Sequence, residues 1–350
     1  MSQGKIAVVP ASLGVLGIQP GKGALMASKA KAKPPAMASD EEEDHSLEAF
    51  FKENQYFLLP WVCLACVQLA VFQTPCIAAW CDRRGLEPLG AQSVIKMAVF
   101  AIMAQYVVHG ALAVYHDSLV SKGLKIQDRP YIFRAEEVAT RSSMVIMVSM
   151  TAYALTPMNH GEASLLDVFI GYSILSLLHD AWFYMVHRAA HTQQLYALIH
   201  KTHHKWKQPM AFSAYFIRSP SQMLQEHACI IPCMVLLPVP VYSFLLYQYI
   251  GAPLSMLEHC GFRVGELTLP FLGWVNLPYF GHLKLEHLMT VLGGGLSLIF
   301  GSQTVEDHDY HHLNFHGNYA LSFSYLDRIF GTYVEQSQSK STADEALLKA

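Results

Sequence analysis

The sequence predicts an all-α integral membrane protein, and two observations carry that assignment. Of 350 residues, 52% are hydrophobic and only 15% charged, where soluble domains carry about 25% charged residues. Apolar runs also recur along the chain, the first of them uncharged and longer than the ~20 residues that cross a bilayer. A third observation concerns histidine. There are 18, against 24 Lys and Arg together, and eight of them stand in three tight clusters in the second half of the chain. Together these features predict four or more transmembrane helices carrying a histidine-rich cap. A net charge of -3 offers no basic face for DNA or RNA, so no nucleic acid partner is expected. Seven scattered cysteines imply no disulfide framework. Cys63 and Cys66 form a C-x-x-C inside an apolar run and read as buried helix surface.

Residues 1–45 are rich in Ala, Gly, Lys and Pro and close on the acidic run Asp40–Asp44. They read as a disordered tail or a transit peptide. Residues 46–164 read as N-terminal transmembrane helices, 165–335 as a catalytic domain, and 336–350 as a solvated, disordered tail. The apolar run Tyr56–Trp80 is the first candidate span. Val94–Tyr115 is the second, with Lys96 able to snorkel. Ser143–Leu155 is the third. The fourth starts at Leu165 and continues without a proline into the first histidine cluster, which predicts one long helix carrying His187 and His191. In Ala228–Leu257, the prolines Pro232, Pro238 and Pro240 predict a bent hairpin of two helices.

The loops set sidedness through their cations. Residues 116–142 carry Lys122, Lys125, Arg129, Arg134 and Arg141, the link 156–164 carries no Lys or Arg, and 188–218 is again basic. The histidine clusters are therefore expected on the cytosolic face, with Arg83 and Arg84 as a mild contradiction. The stretch 262–307, with glycines at 293–295, reads either as a re-entrant or interfacial segment near the site or as an insertion.

His187 and His191 lie four residues apart and so share a helix face. His200, His203 and His204 repeat the H-x-x-H-H spacing of His308, His311 and His312. Three clusters aimed at one point give eight imidazoles, more than the roughly four ligands that close a zinc site. Two metal ions sharing the clusters are expected, and imidazole suits zinc, copper and iron. H-E-x-x-H is absent, which removes the zinc-protease reading. So is the pair of Glu-x-x-His motifs found in bundle di-iron proteins. Asp180, seven residues before His187, is expected to accept a hydrogen bond from a ligand imidazole. His45, His109, His116, His160 and His227 stand alone and read as structural or surface residues.

At these residues the chain resembles the fatty acid hydroxylase superfamily, the membrane non-haem di-iron oxygenases that act on sterols and other lipids. D-A-W-F-Y-M-V-H-R-A-A-H (180–191) resembles the family's first histidine motif and H-K-T-H-H-K-W-K-Q-P (200–209) its second. E-H-C-G-F (258–262) resembles its isolated histidine, which makes His259 a ninth ligand by resemblance. The block 308–320 with Y-L-D-R-I-F-G-T (325–332) resembles the closing motif. Within the superfamily the closing block is most similar to sterol C4-methyl oxidases, and H-C-G-F also to sphingoid-base C4-hydroxylases. The chain departs from them at Ser219-Pro220 and in the longer stretch between His259 and His308; His282, His287 and His316 have no counterpart.

The resemblance implies two non-haem iron ions, O2 as oxidant, and electrons from NAD(P)H through a b-type cytochrome or a reductase. It implies hydroxylation of an unactivated C–H of a membrane lipid, a sterol or else a sphingoid or fatty acyl chain. The implied membrane is the endoplasmic reticulum, or a plastid if the N-terminus is a transit peptide. Desaturation is the alternative reaction, and a metal-binding membrane protein with a degenerate site the alternative outside enzymes.

Overall fold

In the computed structural model the described residues are 58–127, 136–218, 220–267, 284–292 and 295–335. They fall in one compact unit, Asp44–Ala350. The expectations for residues 1–45 and for the tail 336–350 lie outside the described residues, as does Ser219.

The first apolar run does not form one helix. It divides into α1 (Leu58–Gln73) and α2 (Pro75–Arg83) because Pro75 takes the first helical position of a new segment. Proline also steers its predecessor out of helical geometry, and Thr74 has ψ 126°. Cys66 is exposed on α1, among the exposed Val67, Leu69 and Val71, so it faces outward rather than being buried. Next comes α3 (Ala91–Ser121) and then α4 (Glu136–Met150). α4 begins earlier than the apolar pattern suggested and holds the buried Arg141 over the Phe216 ring at 4.7 Å.

The chain is not purely helical. β1 (Leu86–Pro88) and β2 (Pro157–Asn159) pair antiparallel, with Leu86 opposite Asn159. Gly85 and Gly90, at φ +61° and +81°, turn the chain into and out of β1. The ribbon ties the end of α2 to the link that enters α5 (Leu165–Ala190).

α5 is the long helix the sequence predicts. A capping box opens it: Asp167 N–H donates to Ser164 Oγ and Ser164 N–H to the Asp167 carboxylate. It runs unbroken to Ala190, with His191 as its C-cap. α6 (Pro220–His227) and α7 (Ile230–Leu236) follow, then α8 (Val241–Glu258) starts directly after Pro240. Pro238 and Pro240 thus lie between two separate helices, α7 and α8.

α8 packs against both α5 and α3, and α4 against α3. Gly171 allows the α5–α8 approach: a Cβ there would lie 3.0 Å from Ser243 Cβ and 3.1 Å from Val239 Cγ1. Small residues at such crossings let membrane helices pack closely. Leu175, Phe244, Met256 and Ile146 fill the centre. The outer faces are apolar: Ile95, Val99, Met103, Val107 and Val114 form an exposed stripe on α3, and Leu165, Phe169 and Met185 are exposed on α5. Apolar stripes of this extent suit lipid rather than water.

Among the described residues two helices, α3 with 31 residues and α5 with 26, are long and apolar enough to cross a membrane. α1, α4 and α8 are shorter, at 16, 15 and 18 residues. Within 262–307, Leu285–Leu292 forms α9 and Ser297–Phe300 forms α10. The chain then enters α11 (Val305–Asn314) through a Thr304–Asp307 capping box and closes on α12 (Tyr325–Ile329).

Candidate metal centre

The structure brings all nine predicted histidines into two adjoining groups. His187, His191, His200, His204 and His311 form one, and His203, His259, His308 and His312 the other; within each, the candidate ligand nitrogens lie within 4.8 Å of one another. Each H-x-x-H-H triple is shared. His200 and His204, one turn apart, face the five-membered group while His203 faces the four-membered one. His308 and His312 join the four and His311 the five. The groups touch through His204 and His312, whose ring centroids are 4.6 Å apart.

Local backbone places the rings. α5 delivers His187 from its last turn and His191 from its cap. Tyr196–His200 winds as a π-turn, with Lys201 N–H donating to Tyr196 C=O at 2.8 Å, a distortion common at functional sites. A short 3-10 turn carries His203 and His204, and α11 carries the last three histidines. His259 caps α8.

Three backbone carbonyls orient the rings. The Nδ1–H of His187 donates to Tyr319 C=O at 2.7 Å, that of His311 to Gly317 C=O at 2.8 Å, and that of His259 to Ser255 C=O at 2.7 Å. With the proton on Nδ1, Nε2 presents a lone pair inward. There the Nε2 atoms face each other: His187 and His200 at 2.9 Å, His200 and His204 at 3.1 Å, and His204 and His311 at 3.1 Å. In the second group His308 faces His259 at 2.9 Å and His312 at 3.1 Å.

Protons cannot satisfy this arrangement. In the series 187–200–204–311 both ends are lone pairs. If His200 and His204 each donate outward, two N–H groups confront one another between them; otherwise two lone pairs do. Extra protons are disfavoured. Burial first, then neighbouring rings, holds His200, His203, His204, His308 and His312 well below the usual imidazole range. Burial likewise holds His259 at about 4 and His191 at about 2. Neutral rings with converging lone pairs are the donor set a cation requires, so the residues fit two metal ions.

Asp180 does not reach an imidazole. Its Oδ1 accepts the backbone N–H of Ser322 at 2.7 Å and of Phe323 at 3.1 Å. Seven residues put Asp180 on the face of His187 but about 10 Å along the axis. It anchors instead the strap whose carbonyls hold His187 and His311.

Asp327 anchors the same strap, accepting the amides of Tyr319 and Ala320 at 2.9 and 2.8 Å and the hydroxyl of Thr332 at 2.7 Å. Gly317 and Asn318, at φ +81° and +53°, make its turn. A Cβ on Gly317 would meet Thr332 C=O at 2.6 Å. Sequence reasoning missed Asp327, Tyr319 and Gln222, whose amide lies 2.9 Å from His200 Nδ1. The only signal for Asp327 was its place in the closing motif.

A cavity of about 500 Å³ adjoins the centre. His187, His200, His203, His259 and His308 line one end. The other, deeper between α5 and α8, is lined by Tyr172, His179, His227 and Tyr247. There Tyr247 Oη hydrogen-bonds His179 Nδ1, and the His179 and His227 rings stack at 4.4 Å. Met289, Thr290, Ser297 and 302–306 also border the cavity, so the stretch 262–307 does adjoin the site. Among the solitary histidines, His227 lines the cavity, His109 packs on Phe212, and His160 and His316 are exposed. His282 and the His287 side chain lie outside the described residues.

Comparison with known proteins matches residues 172–332 to the fatty acid hydroxylase family model. The chain is 26% identical over 164 residues to methylsterol monooxygenase 1 of Rattus norvegicus, covering 46% of this chain and 45% of that one. It is 28% identical over 159 residues to its Gallus gallus counterpart, covering 45% and 44%. To methylsterol monooxygenase 2-1 of Arabidopsis thaliana it is 26% identical over 165 residues, covering 45% and 53%. The matched part thus spans about half the length of these curated relatives. No solved structure matches. The residues that match the fatty acid hydroxylase family, 172–332, are the ones that hold both histidine groups.

Proposed function

We propose that this protein is a membrane-bound, O2-dependent non-haem di-iron monooxygenase that hydroxylates an unactivated C–H bond of a lipid, most closely a methylsterol. One observation carries the reading: two groups of neutral imidazoles, their lone pairs converging, form one end of a cavity about 500 Å³ in volume between apolar helices. That volume lies within the range of small-molecule sites. The relatives' names supply the substrate class, and hydroxylation balances as R–H + O2 + 2 e⁻ + 2 H⁺ giving R–OH + H2O.

Two iron ions, one in each group, would supply dioxygen activation. The protein's own residues do the rest. The carbonyls of Gly317, Tyr319 and Ser255 fix the tautomers of His311, His187 and His259. Phe183, Ala214 and Ile217 give the wall beside the histidines an apolar surface that excludes water. Tyr247, His179 and His227 offer a hydroxyl and ring nitrogens to a polar group on the substrate. The lipid would enter from the bilayer, with the cap on the cytosolic face of an endoplasmic reticulum membrane. α1 and α8 would add to the two long spans to reach four or more.

The test is ¹⁸O2 incorporation. Purified protein loaded with ferrous iron, given a reductant and a 4-methylsterol, is expected to form product carrying one ¹⁸O atom. Loss of two hydrogens without oxygen gain would make it a desaturase. Bound iron with no oxygen consumption across sterols, sphingoid bases and fatty acyl lipids would favour a non-catalytic metal protein.

A further inference from the structure

The oxygenase reading needs two electrons per turnover, and the sequence holds no nucleotide-binding motif to collect them from a dinucleotide. They must cross the protein surface from outside. Among the described residues a continuous file of rings runs from the exposed Phe330 to the five-histidine group. Phe330 is exposed at 56% of its area and stacks on the buried Tyr184 ring, with centroids 5.6 Å apart and planes 16° apart. Tyr184 meets Tyr319 edge-on at 6.5 Å. Tyr319 in turn lies 5.2 Å from His191, 5.5 Å from His311 and 5.9 Å from His187. Hydrogen bonds hold Tyr184 from Thr332 at 3.0 Å and from Arg188 at 2.9 Å. Electron tunnelling weakens steeply with every gap, and this file has none wider than a ring contact.

The outer end has the make-up of a docking surface. Ile329, exposed at 69%, adjoins Phe330, and the two are flanked by exposed Arg188 and Arg328. The Arg188 guanidinium sits 5.7 Å from the Phe330 ring. Among the described residues no carboxylate forms an ion pair with either arginine. Exposed aromatics and arginines are the residues that dominate protein interfaces, and two unneutralised cations select an acidic partner.

We infer that the Phe330 face, with Ile329, Arg188 and Arg328, is where a one-electron carrier protein with an acidic rim docks, and that electrons pass inward over Tyr184 and Tyr319. This rests on the oxygenase reading and adds the entry point. Two reduced carriers each lose one electron; with two protons from solvent these convert one atom of O2 to water while the other enters the lipid. A membrane surface is the competing occupant of an exposed apolar patch beside arginines, but lipid gives no reason for a file of rings behind it.

The experiment compares Phe330→Ala and Arg188→Gln with the unaltered protein in detergent, using a soluble b-type cytochrome domain with an acidic face as the probe. Both variants are expected to keep their iron and to bind the cytochrome roughly tenfold more weakly, as for an interface hot spot, in metal-free and iron-loaded protein alike. Reoxidation of reduced cytochrome should slow by a similar factor, while a single turnover of dithionite-reduced protein stays unchanged. Unaltered cytochrome binding and reoxidation would overturn the inference. So would an equal loss in the dithionite-reduced turnover, which would make Phe330 a support of the site. Weaker partition into phosphatidylcholine vesicles with normal cytochrome binding would assign the patch to lipid. If unaltered protein oxidises no lipid with any reductant, the oxygenase reading falls, and the metal-free binding arm still decides the docking face.

Discussion

His187 donates its Nδ1 proton to the carbonyl of Tyr319, 132 residues further along the chain, at 2.7 Å. This single bond fixes which nitrogen of His187 faces the centre. It also ties the last turn of α5 to a strap that Asp180 and Asp327 hold by four backbone amides.

Asp327→Asn tests the strap. The amide nitrogen would confront one backbone N–H where a carboxylate oxygen now accepts it. Iron affinity is expected to fall about 10- to 100-fold, the usual effect of losing support for a metal ligand. Metal titration of the solubilised variant measures it, and unaltered affinity would mean that the strap does not govern ligand orientation.

His203→Ala removes one nitrogen from the four-membered group and none from the five. Bound iron should fall toward one ion per chain and lipid oxidation should cease. Elemental analysis beside product assay reads both; full iron content with normal turnover would show that His203 is no ligand.

Gly171→Ala tests the α5–α8 crossing. The added methyl would press on Ser243 and Val239, and overpacking of this kind costs about 1–3 kcal/mol. A lower midpoint of thermal unfolding is expected, with partial recovery in the double variant Gly171→Ala/Ser243→Ala. An unchanged midpoint would show that the helices part without penalty.

Metal removal should destabilise the cap, because converging lone pairs lose the cation between them. A site filled at 1,000 times its dissociation constant contributes about 4 kcal/mol. Chelation should therefore lower the unfolding midpoint, and ferrous iron should restore it. A midpoint indifferent to both would argue that the rings are held by packing alone.

Much of the centre was legible because helical spacing is a local property: His187 with His191, and the two H-x-x-H-H triples, advertise shared faces in the sequence itself. How each triple divides between groups was not, since His203 and His311 turn to different neighbours only once α5, α8 and α11 are packed. His259 stands alone on its segment and was found by resemblance. Gly317 and Tyr319 act through carbonyls, which every residue has, so no side-chain pattern marks them. A helical face says nothing about reach along the axis, so the sequence does not show that Asp180 takes the amides of Ser322 and Phe323. The apolar runs located the two helices long and apolar enough to cross a membrane, but apolarity alone did not reveal that Pro75 divides the first run, or that two short extended segments, Leu86–Pro88 and Pro157–Asn159, would pair.

Anaerobic titration of metal-free protein with ferrous iron, followed by Mössbauer spectroscopy, tests the two-group centre most directly. Two ions per chain, both in nitrogen-rich surroundings, with one of them lost when either histidine group is depleted, is the predicted result. Saturation at a single ion, or no uptake with all nine rings intact, would contradict it.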